Sequence, residues 1–116
     1  MEDSEGKLWI ATCLGGIFVV DKQKMMKSNS EYYTADYNFS IKDGLSGMFI
    51  NQLIPDHKGN VWVLVYNNGI DKINPHTHQI THLQTDSITG NQKPNFILCD
   101  DQGYIWAGFR RWNTSH

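Results

Sequence analysis

The sequence predicts an all-β protein assembled from repeated units of short antiparallel strands. Three observations predict this fold class. One turn-and-strand pattern occurs three times along the 116 residues, apolar residues come in runs of about five between turn signals, and no segment shows helical periodicity.

The repeated pattern is an aspartate, two residues, a glycine, two residues and a tryptophan. Its members are Asp3, Gly6 and Trp9, then Asp56, Gly59 and Trp62, then Asp100, Gly103 and Trp106. The aspartate can accept a hydrogen bond from the backbone N–H two residues on, and the glycine supplies a positive φ angle, which together predict a tight hairpin turn. Because a fold needs this turn in every unit, whereas an active site needs one constellation, we interpret these aspartates as structural.

Each turn leads into a short predicted strand, and further strands follow after polar turns. In chain order the predicted strands are Leu8–Thr12, Ile17–Asp21, one around Tyr32–Tyr37, one within Met48–Asp56, Val61–Tyr66, Ile70–Asn74, Ile80–Leu83, one within Pro94–Asp100, and Tyr104–Phe109. The segments KQK (22–24) and PHTHQ (75–79) are predicted turns. The polar and aromatic stretch 25–40 is predicted to be an extended outer hairpin or a surface loop.

The strand spacing predicts the blades of a β-propeller, because such a blade has four short antiparallel strands in about 40–45 residues. The run VWVLVY (61–66) is apolar throughout, whereas a strand with one wet face would alternate. Stacking between two neighbouring blades would cover both faces of this strand.

Counting strands predicts a partial blade at 1–41, a blade at 42–85 and a partial blade at 86–116, in one incomplete propeller domain. A propeller needs about 4–8 blades to close, so the chain is expected to be a fragment or a truncated reading frame of a longer array. Its expected partners are the neighbouring blades, and an apolar face left open at each end predicts self-association.

The motif Asp-x-x-Gly-x-(Leu/Val/Ile)-Trp, followed by GGI (15–17) or NGI (68–70), resembles the two-component regulator propeller repeat, as does KDGLSGMFINQLIPD (42–56). The resemblance covers nearly the whole chain. It implies the periplasmic sensor region of a hybrid two-component system anchored in the inner membrane. Such a region detects a glycan-derived oligosaccharide, signals to a histidine kinase, and can act as a homodimer of the parent sensor.

Composition excludes some functions. The net charge of −2 and the pI near 6.2 give no basic field for nucleic acid, no run is long enough for a membrane helix, and no signal peptide is visible. Cys13 and Cys99 are expected to be buried apolar side chains, with a disulfide left open. No catalytic constellation or cofactor motif is present, so no enzyme activity and no cofactor are predicted.

Two segments are candidates for ligand contact. Arg110, Arg111 and Trp112 combine guanidinium groups that bind carboxylates or sulfates with a ring that stacks on sugars. The aromatic segment Tyr32–Phe39 is the second candidate. For both, the alternative is packing against neighbouring strands. His76, His78 and His82 are interpreted as turn residues rather than metal ligands. The alternative functions are a scaffold propeller for protein–protein contacts and a propeller portion of a carbohydrate-active enzyme.

Overall fold

The computed structural model describes residues 1–28, 34–83 and 93–109. Within these ranges, nine strands and one short α-helix follow one another. They are β1 (Lys7–Ala11), β2 (Ile17–Asp21), α1 (Lys22–Lys27), β3 (Tyr37–Phe39), β4 (Ile50–Pro55), β5 (Val61–Val65), β6 (Gly69–Ile73), β7 (Ile80–His82), β8 (Pro94–Cys99) and β9 (Ile105–Phe109). A 3-10 turn at Ile41–Asp43 lies between β3 and β4.

The strands form three antiparallel sheets, each ordered as the chain runs. Sheet 1 is β1-β2-β3, sheet 2 is β4-β5-β6-β7, and sheet 3 is β8-β9. The predicted all-β fold class is confirmed, and the sheets of three, four and two strands are those of a propeller fragment. The third strand of the first interval lies later than predicted, because residues 37–39 pair with β2, with Tyr37 opposite Val19.

Helix α1 was not predicted, since KQK (22–24) was interpreted as a turn. The Asp21 carboxylate caps the helix by accepting from the backbone N–H groups of Gln23 (2.9 Å) and Lys24 (3.2 Å). Six residues make fewer than two helical turns, so the helix leaves no periodicity in the sequence. No helix in the described ranges is long and apolar enough to span a bilayer.

Strand β5 is covered on both faces, as its continuous apolar run predicts. Val61, Val63 and Val65 pack in a core cluster with side chains of sheet 1, among them Trp9. Leu64 points to the opposite face and packs with Ile97 of sheet 3. The run ends at Tyr66, whose side chain is 57% exposed beyond the last strand residue.

The repeated tryptophans become progressively more exposed along the chain. Trp9 is 2% exposed, Trp62 is half-buried and Trp106 is 59% exposed. Trp9 lies in the core cluster shared with β5, and Trp62 packs beside the cluster that contains Ile97. Each of these two rings is therefore covered by the sheet that follows it, whereas the Trp106 face of sheet 3 is open.

Candidate functional site

The repeated aspartate and tryptophan form the same hydrogen-bonded unit in all three sheets. The indole Nε1 of the tryptophan donates to the aspartate Oδ2 at 2.8 Å in each copy, Trp9 to Asp3, Trp62 to Asp56 and Trp106 to Asp100. The other carboxylate oxygen, Oδ1, accepts from the backbone N–H groups two and four residues on, at 2.8–3.0 Å. The glycine of each unit has a positive φ of 78°, 88° and 91°.

These hydrogen bonds alter the acidity of two of the aspartates. For Asp56, burial raises the pKa, but the donors from Trp62 and from the backbone of Asn60 and Lys58 outweigh burial, so the pKa lies below its usual value. For Asp100, the Trp106 indole and the Tyr104 backbone N–H lower the pKa. Carboxylates whose two oxygens are both occupied by hydrogen bonds of the fold serve the turn rather than a reaction.

A pocket of about 210 Å³ opens between sheet 1 and the β6–β7 turn of sheet 2, and we call it the aromatic pocket. Its apolar wall consists of Trp9, Val19, Tyr37, Phe39 and Pro75. Its charged and polar rim consists of Asp3, Glu5, Lys7, Asp36 and His78.

The apolar wall is a continuous group of aromatic contacts. Trp9 and Phe39 stack with their ring centroids 5.3 Å apart, and Tyr37 meets Phe39 edge-on at 4.6 Å. The His78 ring lies 4.0 Å from Tyr37 and closes the group from sheet 2. His78 adopts a positive φ of 64°, a conformation uncommon for a residue with a Cβ atom.

Tyr37 is fixed on its outer side by a carboxylate. Its hydroxyl donates to Asp43 Oδ1 at 2.8 Å, and this hydrogen bond raises the pKa of Tyr37 and lowers that of Asp43. The hydrogen bond ties β3 to the 3-10 turn that follows it. The hydrogen bond therefore fixes the orientation of the Tyr37 ring.

The three histidines of the β6–β7 region lie apart and have different partners. His76 Nε2 is 3.3 Å from Glu5 Oε2, His78 packs on Tyr37, and His82 Nδ1 is 2.6 Å from Asp71 Oδ1. No group of three or more His, Cys, Asp or Glu side chains within the described ranges could hold a metal ion.

The Asp71–His82 pair is a buried feature that the sequence interpretation missed. Asp71 is fully buried on β6, and its Oδ2 accepts from the Ser46 backbone N–H at 2.8 Å. The repeat did contain a signal for this pair, because a charged residue, Asp71, occupies the position that the apolar Phe18 has in the first copy. A carboxylate at a core position requires a partner, and His82 on the neighbouring strand supplies it.

The predicted site residues differ in where they lie. Arg110, Arg111 and Trp112 lie outside the described residues. Of the segment Tyr32–Phe39, Tyr32 and Tyr33 also lie outside the described residues, whereas Asp36, Tyr37 and Phe39 line the aromatic pocket. Glu5 and His78 were missed as pocket residues. The signal for Glu5 was that the other two repeats carry Lys58 and Gln102 at its position.

The expectation that both cysteines are buried is wrong. Cys13 is exposed in the β1–β2 turn and Cys99 is half-buried at the end of β8, and both are free thiols. Hairpin ends leave side chains in contact with water even where the strands between them are covered.

No protein-family model and no curated protein matches the chain. Solved structures, in contrast, match the chain. The extracellular domain of BT4673 from B. thetaiotaomicron, described as a hybrid two component system, is 62% identical over 93% of this chain, with a TM-score of 0.85. A second structure of that domain, described there as a one component system, has the same identity and coverage and a TM-score of 0.84.

The extracellular domain of the hybrid two component system BT3049 from B. thetaiotaomicron is 24% identical over 92% of this chain, with a TM-score of 0.69, and it shows the fold alone. The chain spans 15% of the BT4673 chain and 13% of the BT3049 chain. Its three sheets are therefore similar to a segment of the extracellular domain of a two component system.

Proposed function

We propose that the chain is part of a periplasmic sensor propeller of a two-component signalling protein, which binds a glycan-derived ligand and relays binding to a histidine kinase. The observation that carries this proposal is the 62% identity to the BT4673 extracellular domain over 93% of the chain. An identity of this size over three sheets supports a shared role as well as a shared fold. The parent protein is proposed to be anchored in the inner membrane.

The stacked sheets supply the architecture that such a sensor needs. Turn residues recur in every sheet and maintain the fold, while the residues between the turns vary and can form a different surface at each junction. The aromatic pocket is such a junction, since sheet 1 and the β6–β7 turn both contribute to it. We propose this pocket as the ligand site.

Calorimetry on the extracellular region that contains this chain tests the proposal, with a panel of oligosaccharides from plant and host glycans as probes. We expect one glycan class to bind and the others to give no heat. A reporter gene under control of the whole signalling protein should respond to the same class. Binding of none of the panel would contradict the sensing function and favour a scaffold propeller, and release of reducing ends during incubation would favour a carbohydrate-active enzyme.

A further inference from the structure

We propose that the aromatic pocket holds a single uncharged sugar ring and discriminates against sugars that carry a carboxylate or a sulfate. This inference rests on the sensing function proposed above and adds to it the place and the charge of the ligand.

The pocket lies where the first repeat departs from the second. With the two tryptophans superposed, Glu5 corresponds to Lys58 and Val19 corresponds to Lys72. Tyr37 lies opposite Val19 in sheet 1, and Thr81 lies opposite Lys72 in sheet 2. The shared Asp, Gly and Trp form the same turn in both repeats, so that turn does not require a glutamate at position 5.

The corresponding place in sheet 2 has the opposite character. There the Lys72 Nζ atom lies 5.6 Å from the centroid of the Trp62 ring, and the surrounding cavity is lined by Asn60, Lys72, Asn74, Gln79 and Thr81. The first repeat replaces the lysine by Val19 and the threonine by Tyr37. These two exchanges give sheet 1 an apolar wall that the corresponding cavity in sheet 2 lacks.

The combination of wall and rim suits a sugar. The C–H face of a sugar ring is apolar and can lie against Pro75 and the aromatic wall, while its hydroxyl groups can donate to the carboxylate of Glu5 at the rim. A fully apolar ligand would strip water from this half-exposed carboxylate without replacing its hydrogen bonds. A polyhydroxylated ring satisfies both surfaces.

The rim charges argue against an anionic sugar. Among the described lining residues, Asp3, Glu5 and Asp36 supply three carboxylates and Lys7 one ammonium group. The imidazole of His78 also lines the pocket, and Glu5 Oε2 lies 3.3 Å from His76 Nε2. A uronate or sulfate in the pocket would meet this excess negative charge in partly desolvated surroundings, where like charges repel more strongly than in bulk water.

The size of the pocket limits the ligand to one ring. Its volume of about 210 Å³ lies below the range of about 300–1,000 Å³ that is usual for drug-sized ligands. One sugar unit can therefore enter, and the rest of an oligosaccharide must lie outside.

Matched sugars test the proposal on the 116-residue chain. The probes are glucose with glucuronate, galactose with galacturonate and mannose with mannuronate, since the members of each pair differ only at the terminal carbon. In two-dimensional amide NMR spectra we expect one neutral sugar to shift the signals of Glu5, Tyr37, His78 and the Trp9 indole. The Trp62 indole, which occupies the corresponding place in sheet 2, should not move. The matching uronate should bind about tenfold more weakly or worse.

Two variants distinguish an effect of the pocket on sugar affinity from an effect of any surface charge change. Glu5→Gln keeps the shape of the side chain and removes one rim charge, so the preference for the neutral sugar should fall about threefold or more. Lys58→Gln changes the corresponding position of the second repeat, which lies outside the pocket, and should leave both affinities unchanged. The dispersion of the spectra shows that each variant is folded.

The proposal is overturned if no neutral sugar shifts the pocket signals, if the shifts lie elsewhere, or if a uronate binds as tightly as its neutral partner. Calorimetry on the extracellular region then separates the two claims. If that region binds an oligosaccharide while the pocket signals do not move, this inference fails and the sensing function stands. If neither measurement detects binding, both fail.

Discussion

At the scale of single residues, the Asp–Trp hydrogen bond explains why the repeat keeps a tryptophan rather than another large apolar residue. A phenylalanine would fill much of the same space, but it has no N–H to donate to the aspartate Oδ2. The carboxylate already accepts two backbone N–H groups through its other oxygen. Loss of the indole donor therefore leaves a half-buried charge with one oxygen unpaired.

Trp62→Phe should lower the free energy of unfolding by about 1–3 kcal/mol, because a hydrogen bond to a charged group in half-buried surroundings is lost. Urea unfolding followed by circular dichroism measures the change. The control is Trp106→Phe, which removes the same 2.8 Å bond at an exposed position and should cost less. Equal losses in both variants would show that burial plays no part in the strength of this bond.

Acid should weaken the fold through the same residues. The folded pKa of Asp56 lies below its ordinary value, so the unfolded chain binds the proton first as the pH falls. The stability that Asp56 contributes is fully present above about pH 4, the ordinary value for aspartate, and is lost as the pH falls through the folded pKa. Asp56→Asn should be less stable than the wild type at pH 7, and the difference should shrink below pH 4. A difference independent of pH in urea titrations would contradict this assignment.

At the scale of elements, the Asp71–His82 pair holds the edge strand β7 to β6. Asp71 has no contact with solvent, and its two oxygens join His82 on β7 to the Ser46 backbone in the segment before β4. Strand β7 has only three residues and few backbone hydrogen bonds of its own. The buried carboxylate therefore connects three parts of sheet 2 that backbone pairing alone joins weakly.

Asp71→Ala should destabilise the chain by about 1–3 kcal/mol, the usual cost of leaving buried hydrogen-bonding groups without their partner. The Ser46 N–H and the His82 ring both lose their acceptor, so amide hydrogen exchange should rise first in β7 and in the segment before β4. His76→Ala is the control, because it removes an exposed ion pair with Glu5 and should change stability by less than about 1 kcal/mol. Faster exchange throughout sheet 2 at equal rates would instead indicate that β7 does not open separately.

Elements with local turn signals were predictable from the sequence, and those set by distant contacts were not. Glycine and aspartate turns fix the hairpins of β2 and β5 locally. For this reason β2 lies where it was predicted, and β5 differs from its prediction only in ending one residue earlier. β3 was misplaced because its position depends on pairing with Val19 rather than on a turn of its own. The aromatic pocket joins Glu5, Tyr37 and His78 from separate segments, and only the segment containing Tyr37 was a candidate beforehand.

At the scale of the whole molecule, the faces that carry Trp9 and Trp62 are each covered by the next sheet along the chain. Among the described residues no sheet covers Trp106, so Trp106 is exposed, whereas Trp9 is buried and Trp62 is half-buried. Phe96 and Leu98 are exposed beside Trp106, at 48% and 44%. Sheet 3 thus presents the kind of apolar face that covers a neighbouring sheet elsewhere in the chain, and a surface of this kind favours association.

The last prediction concerns this open face. The chain should associate in a concentration-dependent way, because pairing two such faces removes apolar side chains from water. Leu98→Lys places a charge beside Trp106 and should shift sedimentation velocity profiles toward the monomer. Met26→Lys is the matched control, since Met26 is an exposed apolar residue on α1, at 70%, away from sheet 3. If both substitutions reduce association equally, the attraction comes from general surface hydrophobicity, and if neither does, the Trp106 face is not the contact.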